Sequence, residues 1–113
     1  MLFTQTPAPP YYAVIFTSKR TKVEQKEYAA AAQRMEELAK DLDGFLGIES
    51  VRDEHGVGIT VSYWDSLAAI KDWKAHTAHQ RVQKKGKADW YESCKVEHAY
   101  TNKDSLLEQE ADQ

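Results

Sequence analysis

His76 and His79 stand three residues apart, just after Trp73, and are among the side chains of this chain best suited to moving a proton. Imidazole titrates near neutrality, so it can take up or release a proton at physiological pH, where carboxylates and lysines are locked in one state. On a regular helix this spacing puts the two rings on neighbouring parts of one face, one turn beyond Trp73. The same pair could begin a metal site, but no carboxylate or third ligand accompanies it in sequence, so no metal is expected. His98, between the apolar Val96 and Tyr100, is a third candidate base, and a buried, hydrogen-bonded structural role suits it equally. Cys94 is the only cysteine, which excludes an internal disulfide and a multi-thiolate metal centre; it reads as an inert core thiol. Trp64 and Trp73 are large enough either to fill a core or to line a cavity.

The elements that must position these residues follow from periodicity. Tyr11 to Thr17 is β-branched and aromatic and reads as a strand. Thr21 and Glu24 have capping-box spacing, and Tyr28, Ala32, Met35, Leu38 and Leu42 then recur at helical intervals until Asp43-Gly44. Met35 and Leu38 are expected on the apolar stripe of that helix. Phe45 to Arg52 and Val57 to Trp64 form two strands closed into a hairpin by Asp53 to Gly56. In the second, Val57, Ile59, Val61 and Tyr63 share one face and Gly58, Thr60, Ser62 and Trp64 the other. Asp65 and Ser66 start a second helical region with Leu67, Ile70 and Trp73 on one side, which runs to Gly86 with a break near Ala75. Trp90 to Tyr100 returns to strand, with Trp90, Cys94, Val96, His98 and Tyr100 on one side.

The order βαββαβ predicts a ferredoxin-like α+β fold: a four-stranded antiparallel sheet with its helices on one face. The other sheet face is then left bare, and a second copy packed against it is the simplest cover, so a homodimer is expected. One domain is expected over residues 11–101, with a proline-rich arm over 1–10 and a polar tail over 102–113 that Leu106 and Leu107 could dock. The net charge of −3, with acidic and basic residues interspersed, argues against nucleic acid as a partner. No apolar run is long enough for a membrane helix and the N-terminus lacks a secretory pattern, so a cytoplasmic protein is expected.

The blocks Gly44-Phe45-Leu46-Gly47-Ile48-Glu49-Ser50, Val61-Ser62-Tyr63-Trp64-Asp65-Ser66 and Ile70-Lys71-Asp72-Trp73-Lys74, followed by His79, Gly86 and Trp90-Tyr91, resemble the antibiotic biosynthesis monooxygenase (ABM) family over roughly Tyr11 to Thr101. The resemblance implies a dimeric α+β barrel with a pocket between helices and sheet in each subunit. Some such proteins oxidise aromatic, polyketide-like compounds with molecular oxygen and no cofactor, and others degrade haem. The first chemistry needs a dry aromatic pocket, a polar group to hold a substrate anion, and a base. The resemblance favours His79 as that base, with His76 and His98 as alternatives, and Trp73, Trp64 and Ser62 as substrate-binding residues. Haem-degrading relatives carry an axial histidine about ten residues after this tryptophan and an asparagine on the first strand. Here Gln83 holds the first position and the only asparagine is Asn102, so haem is possible but disfavoured and no cofactor is expected. The implied function is a cofactor-independent monooxygenase acting on a small aromatic or quinol-like substrate with oxygen. The alternatives are a haem-binding or haem-degrading monooxygenase, and a non-catalytic dimeric ligand-binding or stress protein.

Overall fold

The computed structural model describes residues 3–107. Its elements run β1 (Tyr11–Arg20), α1 (Gln25–Lys40), β2 (Phe45–Arg52), β3 (Val57–Trp64), α2 (Leu67–Ala75), α3 (Thr77–Lys85), a single π-helical turn (Gly86–Trp90) and β4 (Tyr91–Thr101). The strands pair antiparallel in the order β2-β3-β1-β4, the ferredoxin-like arrangement. Register fixes which side chains share a face, because directly paired residues point the same way. Trp64 pairs with Tyr12, which pairs with Tyr100; Ser62 pairs with Val14, which pairs with His98; Gly58 pairs with Ser18, which pairs with Cys94. Trp64 is fully buried against Ala39 of α1 and Ala69 and Ile70 of α2, so these rows lie on the helix-covered face.

The opposite face carries Ile15, Val51, Val57, Ile59 and Val61, and three of these stand open: Val51 is 75%, Ile59 49% and Val57 42% exposed. One end of this face is occupied by the segments around Thr4 and Asp104. Thr4 donates its hydroxyl to the Ile48 carbonyl at 2.7 Å and its N–H to Glu49 Oε2 at 3.1 Å, while Tyr11 OH donates to Asp104 at 2.7 Å. Tyr63 OH donates to the other Glu49 oxygen at 2.6 Å. Burial beside that carboxylate pushes the Tyr63 phenol up to about 12.

Local physics accounts for most boundaries. Ser66 caps α2, its Oγ accepting from Ala69 N–H at 3.1 Å. Gly44 takes a positive φ of 87° after α1 and packs so closely on Asp65 and Ala69 that a Cβ would collide with both. Four expectations need correction. The spacing of Thr21 and Glu24 makes no capping box: Glu24 is itself the N-cap, in the left-handed region at φ 53°, and its carboxylate accepts from Trp90 Nε1 and pairs with Lys85. On α1 the buried residue is Ala39, Ala32 is exposed, and Met35 and Leu38 are only half-buried. Leu67 is 58% exposed, so α2 buries Ile70 and leans on Trp73. Cys94 and His98 are exposed; on β4 it is Tyr91, at the strand's start, that packs against Tyr28 of α1.

Candidate active site

The helical region after β3 is two helices, and the break between them builds the site. His76 takes an extended conformation (φ −62°, ψ 128°), ending α2 and capping α3; its Nδ1 accepts from Ala78 N–H at 3.2 Å. In an unbroken helix the Trp73 carbonyl would bond to the N–H four residues on. Here it accepts from His76 N–H at 3.1 Å and keeps a lone pair for a side chain. His79 uses it: Nδ1 lies 3.0 Å from Trp73 O, and the imidazole stacks on the indole with centroids 4.2 Å apart and planes 13° from parallel.

The stack continues inward. Trp73 lies 6.2 Å from Trp64 at 28°, and Trp64 donates Nε1–H to Ser62 Oγ at 2.9 Å. Trp64, Trp73 and His79 thus form a ladder from the core to the half-buried rim. A carbonyl only accepts, so the bond to Trp73 fixes the proton of neutral His79 on Nδ1 and leaves the lone pair on Nε2. Desolvation holds the His79 pKa below the ordinary imidazole value; His76 and Lys74 push the same way, and the Trp73 carbonyl partly opposes them. At neutral pH His79 is therefore an unprotonated base in a fixed tautomer.

Of the residues singled out in sequence, Ser62, Trp64, Trp73 and His79 come together in one chain of contacts. His76 stands beside Trp73, with centroids 5.9 Å apart, but its Nδ1 is spent on the cap. His98 lies on the same sheet face, in the row of Ser62 and Val14, two strand spacings or about 10 Å from Ser62. It is exposed and has no part in the ladder. Tyr12, Val14 and Tyr100 were not singled out, yet Tyr12 and Val14 pack against the Trp64 cluster and the Tyr100 ring lies 5.2 Å from that of Tyr12. Their alternation along β1 and β4 was the available signal. Together with exposed Val96 and His98 they make an open aromatic and apolar flank on the helix side of the sheet. Two clefts of about 550 Å3 lie elsewhere, one beneath the segments around Thr4 and Asp104 at Tyr11 and Tyr63 and one at Arg20 and Arg52, and neither is lined by Trp73 or His79. Among the described residues no group of three or more His, Cys, Asp or Glu could hold a metal ion.

Residues 11–85, from β1 to the end of α3, match the sequence profile described as antibiotic biosynthesis monooxygenase. The chain belongs to the ABM family. The match takes in Ser62, Trp64, Trp73, His76 and His79, and stops before His98. An uncharacterised protein of Bacillus subtilis (strain 168), YqjZ, is 49% identical over 106 residues, covering 94% of this chain and 92% of its own. Among solved structures, the ABM chain superposes on protein SO0527 of Shewanella oneidensis with a TM-score of 0.72 at 14% identity, over 86% of this chain and 95% of that one. A structure described as an antibiotic biosynthesis monooxygenase gives 0.69 at 14% identity, over 85% and 99%. At such identities these superpositions speak for the fold, which is the ferredoxin-like α+β arrangement expected from the sequence. No helix among the described residues is long and apolar enough to cross a membrane.

Proposed function

We propose that the protein is a cofactor-independent oxygenase of the ABM type, acting on a small aromatic or quinol-like compound that binds on the helix side of the sheet. The observation that carries this reading is the Trp73–His79 pair: a neutral imidazole, tautomer fixed through Nδ1, stacked on an indole and carrying its lone pair on Nε2. Such a base removes a proton from an acidic C–H or O–H of the substrate, leaving an electron-rich anion. The anion reduces molecular oxygen, one oxygen atom is retained on carbon, and the other leaves as water with two hydrogens lost from the substrate, those of a CH2 in an anthrone-like compound or of a ring C–H and an O–H in a quinol. Trp73 and the Tyr12 and Tyr100 rings supply flat apolar contact for an aromatic substrate. Ser62 is a polar group behind them, and His98 is the second histidine on that face.

The open apolar face bearing Val51, Val57 and Ile59 supports a homodimer, with a second copy covering it. Residues 11–101 are taken as the catalytic domain and the cytoplasm as its compartment. Haem degradation has less behind it, because exposed Gln83 stands where those relatives have the axial histidine and an amide is a poor iron ligand. The test is oxygen uptake by purified protein across anthrones, quinols and flavonoid-like compounds, with no added metal or flavin. Turnover that persists after chelator treatment and shows no Soret band is expected. Activity that appears only when haem is added would overturn the reading.

A further inference from the structure

A second constellation lies on the helix side of the sheet, three cross-strand rows from Trp64, or about 20 Å along the strands. Arg20 ends β1, Arg52 ends β2, and both guanidiniums face the ring of Tyr28, with Cζ 3.8 and 5.8 Å from its centroid. Arg20 donates to the carbonyls of Trp90 at 2.6 Å and Val23 at 3.2 Å. Arg52 donates to Gly56 O at 2.6 Å, Ser18 O at 3.4 Å, Ser18 Oγ at 2.9 Å and Tyr28 OH at 3.2 Å. Tyr91 OH donates to Tyr28 OH at 3.0 Å, which fixes the phenol between them. The slot for Arg52 exists because position 58 is glycine; a Cβ there would come 2.7 Å from Cζ.

Every one of these acceptors is neutral. Among the described residues no carboxylate lies within ion-pair distance of Arg20 or Arg52, although both side chains are half-buried. Beside them opens a cleft of about 550 Å3, whose lining also includes Lys19, Lys22 and His55. Its three carboxylates are engaged: Glu92 with Lys19 at 3.2 Å, Glu54 with His55 at 3.6 Å, and Asp53 with the N–H groups of His55 and Val57. Asp53 and Glu54 keep their charge, so the four cations of the lining, Lys19, Arg20, Lys22 and Arg52, outnumber its three carboxylates by one, and Arg20, Arg52 and exposed Lys22 have no carboxylate within ion-pair distance. Half-buried guanidiniums with no carboxylate in contact gain from an anion placed between them. Arg20 spends only two of its five N–H donors on carbonyls, and Lys22 has three donors with no partner among the described residues.

We propose that this cleft is a binding site for a phosphate-type oxyanion, either free or as the terminal group of a small phosphorylated molecule. Guanidinium forks match the geometry of tetrahedral oxyanions, and the lysine adds charge on a longer arm. The test is an NMR titration of the 15N-labelled full chain with inorganic phosphate, and separately with a simple alkyl phosphate, at ionic strength held constant with chloride. Saturable shifts centred on Arg20, Lys22, Gln25 and Gly56 are expected, with a Kd of about 0.1–5 mM. Lys22→Gln, a change on an exposed side chain, should weaken binding about 3-fold, and Arg20→Gln about 10-fold or more. Tighter binding of the alkyl phosphate identifies the terminal group of a larger molecule, and equal binding identifies free phosphate. The proposal is overturned if phosphate gives no saturable shift at these residues, or if Lys22→Gln titrates like the wild type; both readings stand even if Arg20→Gln does not fold.

Discussion

His79 lies flat on the indole of Trp73 and is hydrogen-bonded to the carbonyl of the same residue, so one residue fixes both the orientation and the tautomer of the imidazole. This double attachment exists because the helix breaks at His76 and leaves that carbonyl room for a side chain.

Because desolvation is the largest influence on His79, its pKa should fall below the ordinary value of about 6.5. A pH titration followed through the imidazole C–H resonance should show this, and Trp73→Ala, which uncovers the ring, should bring the value back up. A wild-type value at or above the ordinary one would contradict the assignment. The sign for stability follows. A group whose folded pKa is depressed and whose neutral form is the one buried makes the unfolded chain bind more protons. Stability is therefore full above about pH 6.5 and declines as pH falls from there through the folded pKa. Thermal scans between neutrality and pH 5 should show the decline, and His79→Phe should flatten it.

His76 should matter to folding more than to chemistry. Its Nδ1 caps α3, so His76→Ala should cost about 1 kcal/mol in denaturant unfolding, and His76→Asn should restore most of it. Turnover per folded molecule should be nearly unchanged. A loss of turnover in the well-folded Asn variant would move the base to His76.

The hairpin was wholly legible in sequence: Phe45–Arg52 and Val57–Trp64 are the observed strands, because alternation and a turn-forming link specify register locally. The start of α1 was not. Glu24 is held in a left-handed conformation while its side chain meets Trp90 and Lys85, more than sixty residues away, and no local pattern encodes that. The candidate site was half legible. Trp73 and His79 were found and a break near Ala75 was expected, but the stack between their rings was not, because it depends on a histidine that caps the second helix and leaves the Trp73 carbonyl room for a side chain. The alternation of Cys94, Val96, His98 and Tyr100 suggested a covered face; all four side chains are exposed, because the contact between α1 and β4 through Tyr28 is at Tyr91, the strand's first residue.

Core substitutions should grade with burial. Ile70, 4% exposed, should lose about 2–5 kcal/mol on Ile70→Ala, whereas half-buried Met35 and Leu38 should each lose less, about 1–2 kcal/mol. Equilibrium unfolding in urea measures this, and a reversed order would show that α1, not α2, carries the core.

The open face should be the contact between two copies. Sedimentation at micromolar concentration should give a dimer, and Val51→Glu combined with Ile59→Lys should give a folded monomer. A wild-type monomer, or a double variant that still dimerises, would show that this face is not the contact.

The most direct measurement is steady-state oxygen uptake by wild type and His79→Ala on one compound that the wild type turns over without metal or flavin. If the imidazole takes the substrate proton, kcat should fall about 10²-fold or more while KM changes little. Trp73→Phe, which keeps a ring but loses contact area and the indole N–H, should raise KM instead. Equal kcat in wild type and His79→Ala would contradict the account, leaving Trp73 and His79 as a structural stack and the proton to be taken elsewhere.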